Sequence, residues 1–319
     1  MSANLTVNPE SEPKHPSPQN SASAGEGNDT VTSNVVEERP DAVTRSGPED
    51  VCNRYATDGS ALKAVPGFAS ESKAALARPG ISEGMLRESG VRRVTPGEAY
   101  TTVGYAEEGI LIPYRTLGDE ALLVNGQAFA RLRLKSPKPG GPKYLSPAAG
   151  GCQAYFPRGL TKLLKPDCVL GIVEGEFKAM ALVEAGFPCI GIGGICSACP
   201  KDSEGNPRLI PALAELIAEV RPSRLAFIGD SDTALLPAFS REALKLSRLS
   251  NVPVVLPRIP LDAPGKGPDD LRSAWDPAFT SRWKQILEGA VAVETDTVAS
   301  LAVKLLEREA EAFRHLTMT

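Results

Sequence analysis

From Pro166 onward the chain alternates short apolar runs with stretches of helical period. The runs fall at 168–173, 188–192, 224–229 and 252–256, and residues 176–185, 209–220 and 238–249 between them carry apolar positions at helix spacing. This alternation predicts an α/β fold whose parallel sheet is doubly wound. Upstream the texture is β-rich. Residues 109–114 and 128–134 read as strands, the second with period-two alternation, and Gly- and Pro-rich loops follow at 136–142 and 146–151. A short helical pattern runs from 70 to 89. Asp276 is expected to cap a helix reaching about 288, and an amphipathic helix over 296–314 is placed to pack on the body or on a partner.

Composition divides the chain further. Residues 1 to about 60 are rich in Ser, Pro, Asn, Glu and Gly and poor in large apolar residues. Such a segment buries too little surface to offset its ordering entropy, so a disordered tail is expected. The expected organisation is an acidic disordered tail over 1–65, a smaller basic β-rich (α+β) subdomain over 70–165, an α/β domain over 166–290 and a C-terminal helix over 291–319. Charge follows these divisions. Residues 1–50 carry nine acids against Lys14, Arg39 and Arg45, whereas residues 110–165 carry nine Lys and Arg against Asp119 and Glu120. The net charge of −4 therefore hides a basic middle suited to an anionic polymer. No apolar leader opens the chain and no run reaches membrane-spanning length. Free thiols in a reducing cytoplasm are the default expectation for the six cysteines. Cys196 and Cys199 have zinc-knuckle spacing but no second pair, and incidental thiols are expected there.

The candidate chemistry is carboxylate chemistry. Glu174 closes the run 168–173, and Asp230-Ser231-Asp232 closes the run 224–229. Open α/β sheets bind their ligands outside the carboxyl ends of the strands. On an extended chain Asp230 and Asp232 point to one side, roughly 6–7 Å apart. Two such anions repel by about 2–3 kcal/mol at an effective dielectric near 20, and a divalent cation would remove that cost. Oxygen ligands alone favour magnesium or manganese over zinc. Glu174 has two candidate roles, general base and direct metal ligand. Lys178, on the first turn of the next helix, is either a phosphate contact or a solvated helix lysine. A third element, residues 265–271, carries Lys266, Asp269 and Asp270 on a Gly-rich turn after the last parallel strand. The same string also makes a good helix start.

Other phosphate sites fit less well. The chain has no Gly-x4-Gly-Lys-Ser/Thr string, Gly191-Ile192-Gly193-Gly194 lacks the third glycine of a dinucleotide fingerprint, and Ala234 stands where aspartyl-phosphate phosphatases usually carry a threonine.

Taken in order, Glu174-Gly175, Asp230-Ser231-Asp232 and Lys266-Gly267-Pro268-Asp269 resemble the three signatures of the Toprim domain, shared by bacterial-type primases, topoisomerases and some nucleases. Residues 110–114, Arg131-Leu132-Arg133 and Lys143-Tyr144-Leu145-Ser146-Pro147 are similar in order to the basic subdomain before Toprim in primases. The chain looks most like primase-related proteins of unknown function from plasmids, phages and other mobile elements. The resemblance implies a Toprim-like sheet with Glu174 as catalytic acid or base, and with Asp230, Asp232 and Asp269 holding Mg2+ or Mn2+. It also implies that Arg131, Arg133 and Lys143 meet nucleotides and a single-stranded DNA template, with Lys178 and Lys266 near phosphate. A separate replicative helicase is an implied partner. Two departures from the family pattern stand out. Lys178 occupies a place where primases typically carry an acid, and Gly267 replaces an acid of the lysine loop. Three activities follow as expectations: primase-like nucleotidyl transfer, Toprim-type phosphodiester hydrolysis, and single-strand binding without chemistry.

Overall fold

The computed structural model describes residues 80–317; the expected disordered tail lies outside the described residues. Twelve strands form among them, and two sheets hold most of the core. The first is antiparallel. Its strands are β1 (Arg92–Val94), β2 (Gly109–Pro113), β5 (Ala130–Leu134) and β6 (Tyr144–Leu145), in the order β1-β2-β5-β6. A two-stranded ribbon, β3 (Leu123–Val124) with β4 (Gln127–Ala128), lies between β2 and β5 in sequence. Helix α1 (Glu83–Glu88) precedes this sheet, and α2 (Pro96–Val103) packs on it. A capping box between Thr95 and Glu98, with Pro96 at the first turn, starts α2.

Both faces of β2 are covered, and side-chain alternation explains how. Leu111 joins Val94, Ala99, Val103, Ala130 and Leu132 in a small cluster under α2, while Ile110 and Ile112 enter the main core. Arg131 pairs with Ile112 and Arg133 with Ile110, so both arginines share the face that looks into the molecule.

The second sheet runs in the order β12-β11-β10-β8-β9-β7. Strands β8 (Val169–Glu174), β9 (Cys189–Ile192), β10 (Arg224–Ile228) and β11 (Val254–Leu256) are parallel. The edges β7 (Ala154–Tyr155) and β12 (Val291–Val293) pair antiparallel to β9 and β11. Helices α3 (Glu176–Glu184), α4 (Pro211–Val220) and α5 (Pro237–Ser250) make the crossovers. Right-handed connections place α3 on one face and α4 and α5 on the other, since the first crossover runs opposite to the next two. Helix α6 (Pro268–Trp275) packs on α3 and is followed by α7 (Phe279–Glu288); α8 (Val298–Thr317) packs on α5 through Leu301 and Leu305. The doubly wound α/β expectation therefore holds for this sheet. Two local expectations do not. The helix after Asp276 begins at Phe279 with no side-chain cap, and residues 291–293 form a strand before the last helix begins. Pro277 stands between Asp276 and that helix, and a strand of three residues is too short to show a period.

No helix among the described residues is long and apolar enough to cross a membrane.

Candidate active site at the carboxyl edge of the sheet

Strands β8 and β10 are neighbours, with Val173 opposite Ile228. From β8 the chain first steps to β9 on one side and later to β10 on the other, so the crevice between β8 and β10 is where the winding reverses. Glu174 ends β8 there, and Asp230 and Asp232 follow β10. Gly175 turns the chain into α3 with φ 105°, a left-handed conformation that favours glycine.

The turn after β11 closes over this crevice. Ser231 donates its backbone N–H to the Lys266 carbonyl at 2.9 Å, which ties the two acidic loops together. Gly267 lies between the acids. A Cβ built there would stand 3.0 Å from Asp230 Oδ1, 3.0 Å from Asp269 Oδ1 and 2.8 Å from Lys178 Cε. Two carboxylate oxygens thus surround one point, and only a residue without a side chain leaves that point open. Asp269, on the first turn of α6, is buried. Lys178 Nζ sits 2.5 Å from Asp230 Oδ1, an ion pair without hydrogen-bond alignment, because the same oxygen accepts no hydrogen bond. Asp232 turns outward. It is half exposed and meets Lys266 Nζ at 2.6 Å, which holds its carboxyl below the usual range.

Burial raises the carboxyl of Glu174 above the ordinary glutamate value. The negative charges of Asp230 and Asp232 add to the rise, against Lys178 and Arg131. Glu174 therefore feels two of the groups that flank Gly267, Lys178 and Asp230.

Beneath this rim lies a buried cluster that the sequence did not announce. Glu176 is fully buried; its Oε1 accepts a hydrogen bond from Tyr114 O–H at 2.7 Å and one from Arg131 Nη1 at 2.7 Å. Arg131 also donates to Ser146 Oγ at 3.2 Å and to the Gly193 carbonyl at 3.3 Å, and its guanidinium stacks over Tyr144 at 4.8 Å. These contacts join the antiparallel sheet to the parallel one. A cavity of about 160 Å³ opens alongside, with Arg131, Ser146, Gln153 and Gly193 among its lining residues. Lys143 is exposed on the loop before β6, and Arg133 is half buried on β5. A third arginine, Arg258, also escaped the sequence reading. It is buried after β11, donates Nη1–H to the Ser231 carbonyl at 2.6 Å, and pairs through Nη2 with Glu309 of α8 at 2.7 Å. Arg258 thereby holds the loop between Asp230 and Asp232 in place. A lone arginine after a strand carries no sequence signal for that role.

Cys196 is exposed and Cys199 buried beside Glu242; burial, then Glu242, pushes the Cys199 thiol up to about 12. A protonated thiol is a poor metal ligand.

Among the described residues, no group of three or more His, Cys, Asp or Glu side chains is arranged to hold a metal ion. Magnesium is commonly held by one or two carboxylates, with phosphate oxygens and water completing its shell. Asp230 and Asp269 around the open point at Gly267 fit that arrangement, with oxygen donors only and a lysine ammonium already drawn to one of them.

Residues 163–274 match the model of a domain of unknown function (DUF3854). No curated protein matches the chain. Among solved structures, the chain is similar to a DnaG catalytic core, with TM-score 0.48 and 16% identity over 76% of this chain and 86% of that one. It is also similar to the Aquifex aeolicus primase (zinc-binding and RNA polymerase domains), with TM-score 0.46 and 14% identity over 84% of this chain and 66% of that one.

Proposed function

We propose that the crevice between β8 and β10 is a nucleotidyl-transfer site of the Toprim type, acting on single-stranded DNA and nucleotides in the manner of a primase. The observation that carries this reading is the meeting of Asp230 and Asp269, from two separate segments, around the bare point at Gly267, with Glu174 at the end of β8 electrostatically coupled to Asp230. Glu174 is the general base. Its carboxylate takes the proton from an attacking 3′-hydroxyl as the hydroxyl oxygen bonds to the α-phosphorus of a nucleoside triphosphate and pyrophosphate leaves. A carboxyl raised by burial and neighbouring acids is better matched to that task near neutral pH. Asp230 and Asp269 would hold magnesium, which supplies charge neutralisation for the phosphoryl oxygens. Lys178 and Lys266 place positive charge beside the same phosphates. Mobile-element replication and a separate helicase partner belong to this reading through the family resemblance.

The exposed basic loop supplies the strand contact. Cations that meet phosphate position a strand without reading its sequence. Lys143→Ala is expected to weaken single-strand binding uniformly across sequences and to lower the slope of log affinity against log salt by about one. Fluorescence anisotropy at several salt concentrations measures it; an unchanged slope removes Lys143 from the interface.

Gly267→Ala tests the bare point. Its φ of −127° is ordinary for any residue, so the effect is steric. The new methyl would displace Lys178 and spread Asp230 from Asp269, and nucleotidyl transfer is expected to fall by about 10²-fold. Steady-state primer synthesis measures that loss, with the circular dichroism spectrum unchanged. Wild-type turnover in Gly267→Ala would place the reacting phosphate elsewhere.

A further inference from the structure

Lys178 stands where the family pattern leads one to expect an acid, and a phosphate contact alone does not account for its pairing with Asp230. Its stem rises from the first turn of α3, and its ammonium reaches Asp230 rather than solvent, at 2.5 Å. Its Cε lies 2.8 Å from the point at Gly267 that Asp230 and Asp269 share. It also opposes the rise in the Glu174 carboxyl. One ammonium therefore pairs with Asp230 and acts on Glu174 as well.

We infer that Lys178 is a built-in counter-ion that takes the divalent cation's place at Asp230 until a nucleotide's phosphate draws the ammonium away. This rests on the transfer reading above and adds an order of binding to it. A divalent cation and an ammonium cannot share Asp230 Oδ1 without strong like-charge repulsion. The pairing lacks hydrogen-bond alignment, and a lysine on a flexible four-carbon stem moves readily to a new anion. A triphosphate offers that anion. Asp230 and Asp269 would then hold the metal, with phosphate oxygens completing its shell as is common for magnesium. By linkage, metal and nucleotide each raise the other's affinity by the same factor. Without nucleotide the ammonium holds Asp230 and the site takes metal weakly. Metal-loaded protein therefore accumulates only where nucleotide is present.

The test uses Mn2+ alone as the probe, titrated into the full chain and followed by the paramagnetic resonance signal of the free ion. Wild type is expected to bind weakly. Lys178→Gln should bind at least about tenfold more tightly, Lys178→Arg should remain as weak as wild type, and adding Asp230→Asn to Lys178→Gln should remove the gain. Lys178→Met, which also lacks the charge, gives a second measure should the glutamine variant fold poorly by circular dichroism. Equal Mn2+ affinity in wild type and Lys178→Gln, at a site abolished by Asp230→Asn, overturns the counter-ion role and leaves the transfer reading standing. Absence of Mn2+ binding in every variant up to millimolar ion overturns both the counter-ion role and the metal assignment.

Discussion

Replacing Arg131 by alanine is expected to destabilise the fold by about 3–5 kcal/mol, one of the largest single-residue effects in the molecule. The reason lies in what it leaves behind. Glu176 has no exposed surface, and its Oε1 would keep only the Tyr114 hydroxyl as a partner. A buried carboxylate without its cation is far costlier than the pair is stabilising. Arg131→Met combined with Glu176→Gln should therefore regain most of the loss, because no uncompensated charge remains and the glutamine oxygen can still accept from Tyr114. Urea unfolding of Arg131→Met, Glu176→Gln and the variant that combines them measures the coupling. Additive losses would mean that the pair is not the linchpin of the junction. An Arg131→Ala protein that unfolds like wild type but fails to bind single strands would return Arg131 to the role first expected of it.

The second large effect concerns chemistry and leaves stability nearly untouched. Glu174→Gln is expected to lower the rate of nucleotidyl transfer by about 10²–10⁴-fold, the range for losing a general base. Glutamine keeps the size and polarity of the side chain but takes no proton. Because Glu174 sits among other acids, removing its charge also relieves repulsion, so the unfolding midpoint should hold or rise slightly. A stable, inactive variant separates this role from that of Arg131. Retained transfer in folded Glu174→Gln would assign the base to another group. Asp232→Asn should be milder than Glu174→Gln, since Asp232 faces solvent and Lys266 rather than the shared point.

Much of the parallel sheet was legible because strands buried on both faces read as unbroken apolar runs, and residues 168–173 and 225–229 are such runs. The positions of Glu174 and Asp230 followed from the same pattern, since each is the first carboxylate beyond its run. Strand β12 was not legible, because Val291–Val293 shows no period at three residues. Nor was the fate of Arg131. Alternation along β5 separates its two faces but does not say which one meets solvent, and here both are covered. Nothing in the sequence of α3 showed that Tyr114 and Arg131 would enclose Glu176. Arg258 was invisible for a related reason: its partners, Ser231 and Glu309, are joined only by the fold. Lys178 was visible as a departure from the pattern the sequence resembles, yet its contact with Asp230 depends on how the fold brings α3 to the loop after β10.

The most direct test of the central claim is product analysis on circular single-stranded DNA incubated with the wild-type chain, nucleoside triphosphates and Mg2+. New short strands whose formation requires Glu174 and Asp230 are the predicted result. Nicked template without new strands would assign hydrolysis to the same acids. Tight, salt-sensitive binding with neither product, unaffected by chelator or by Asp230→Asn, would contradict the account and make the crevice a site of recognition without chemistry.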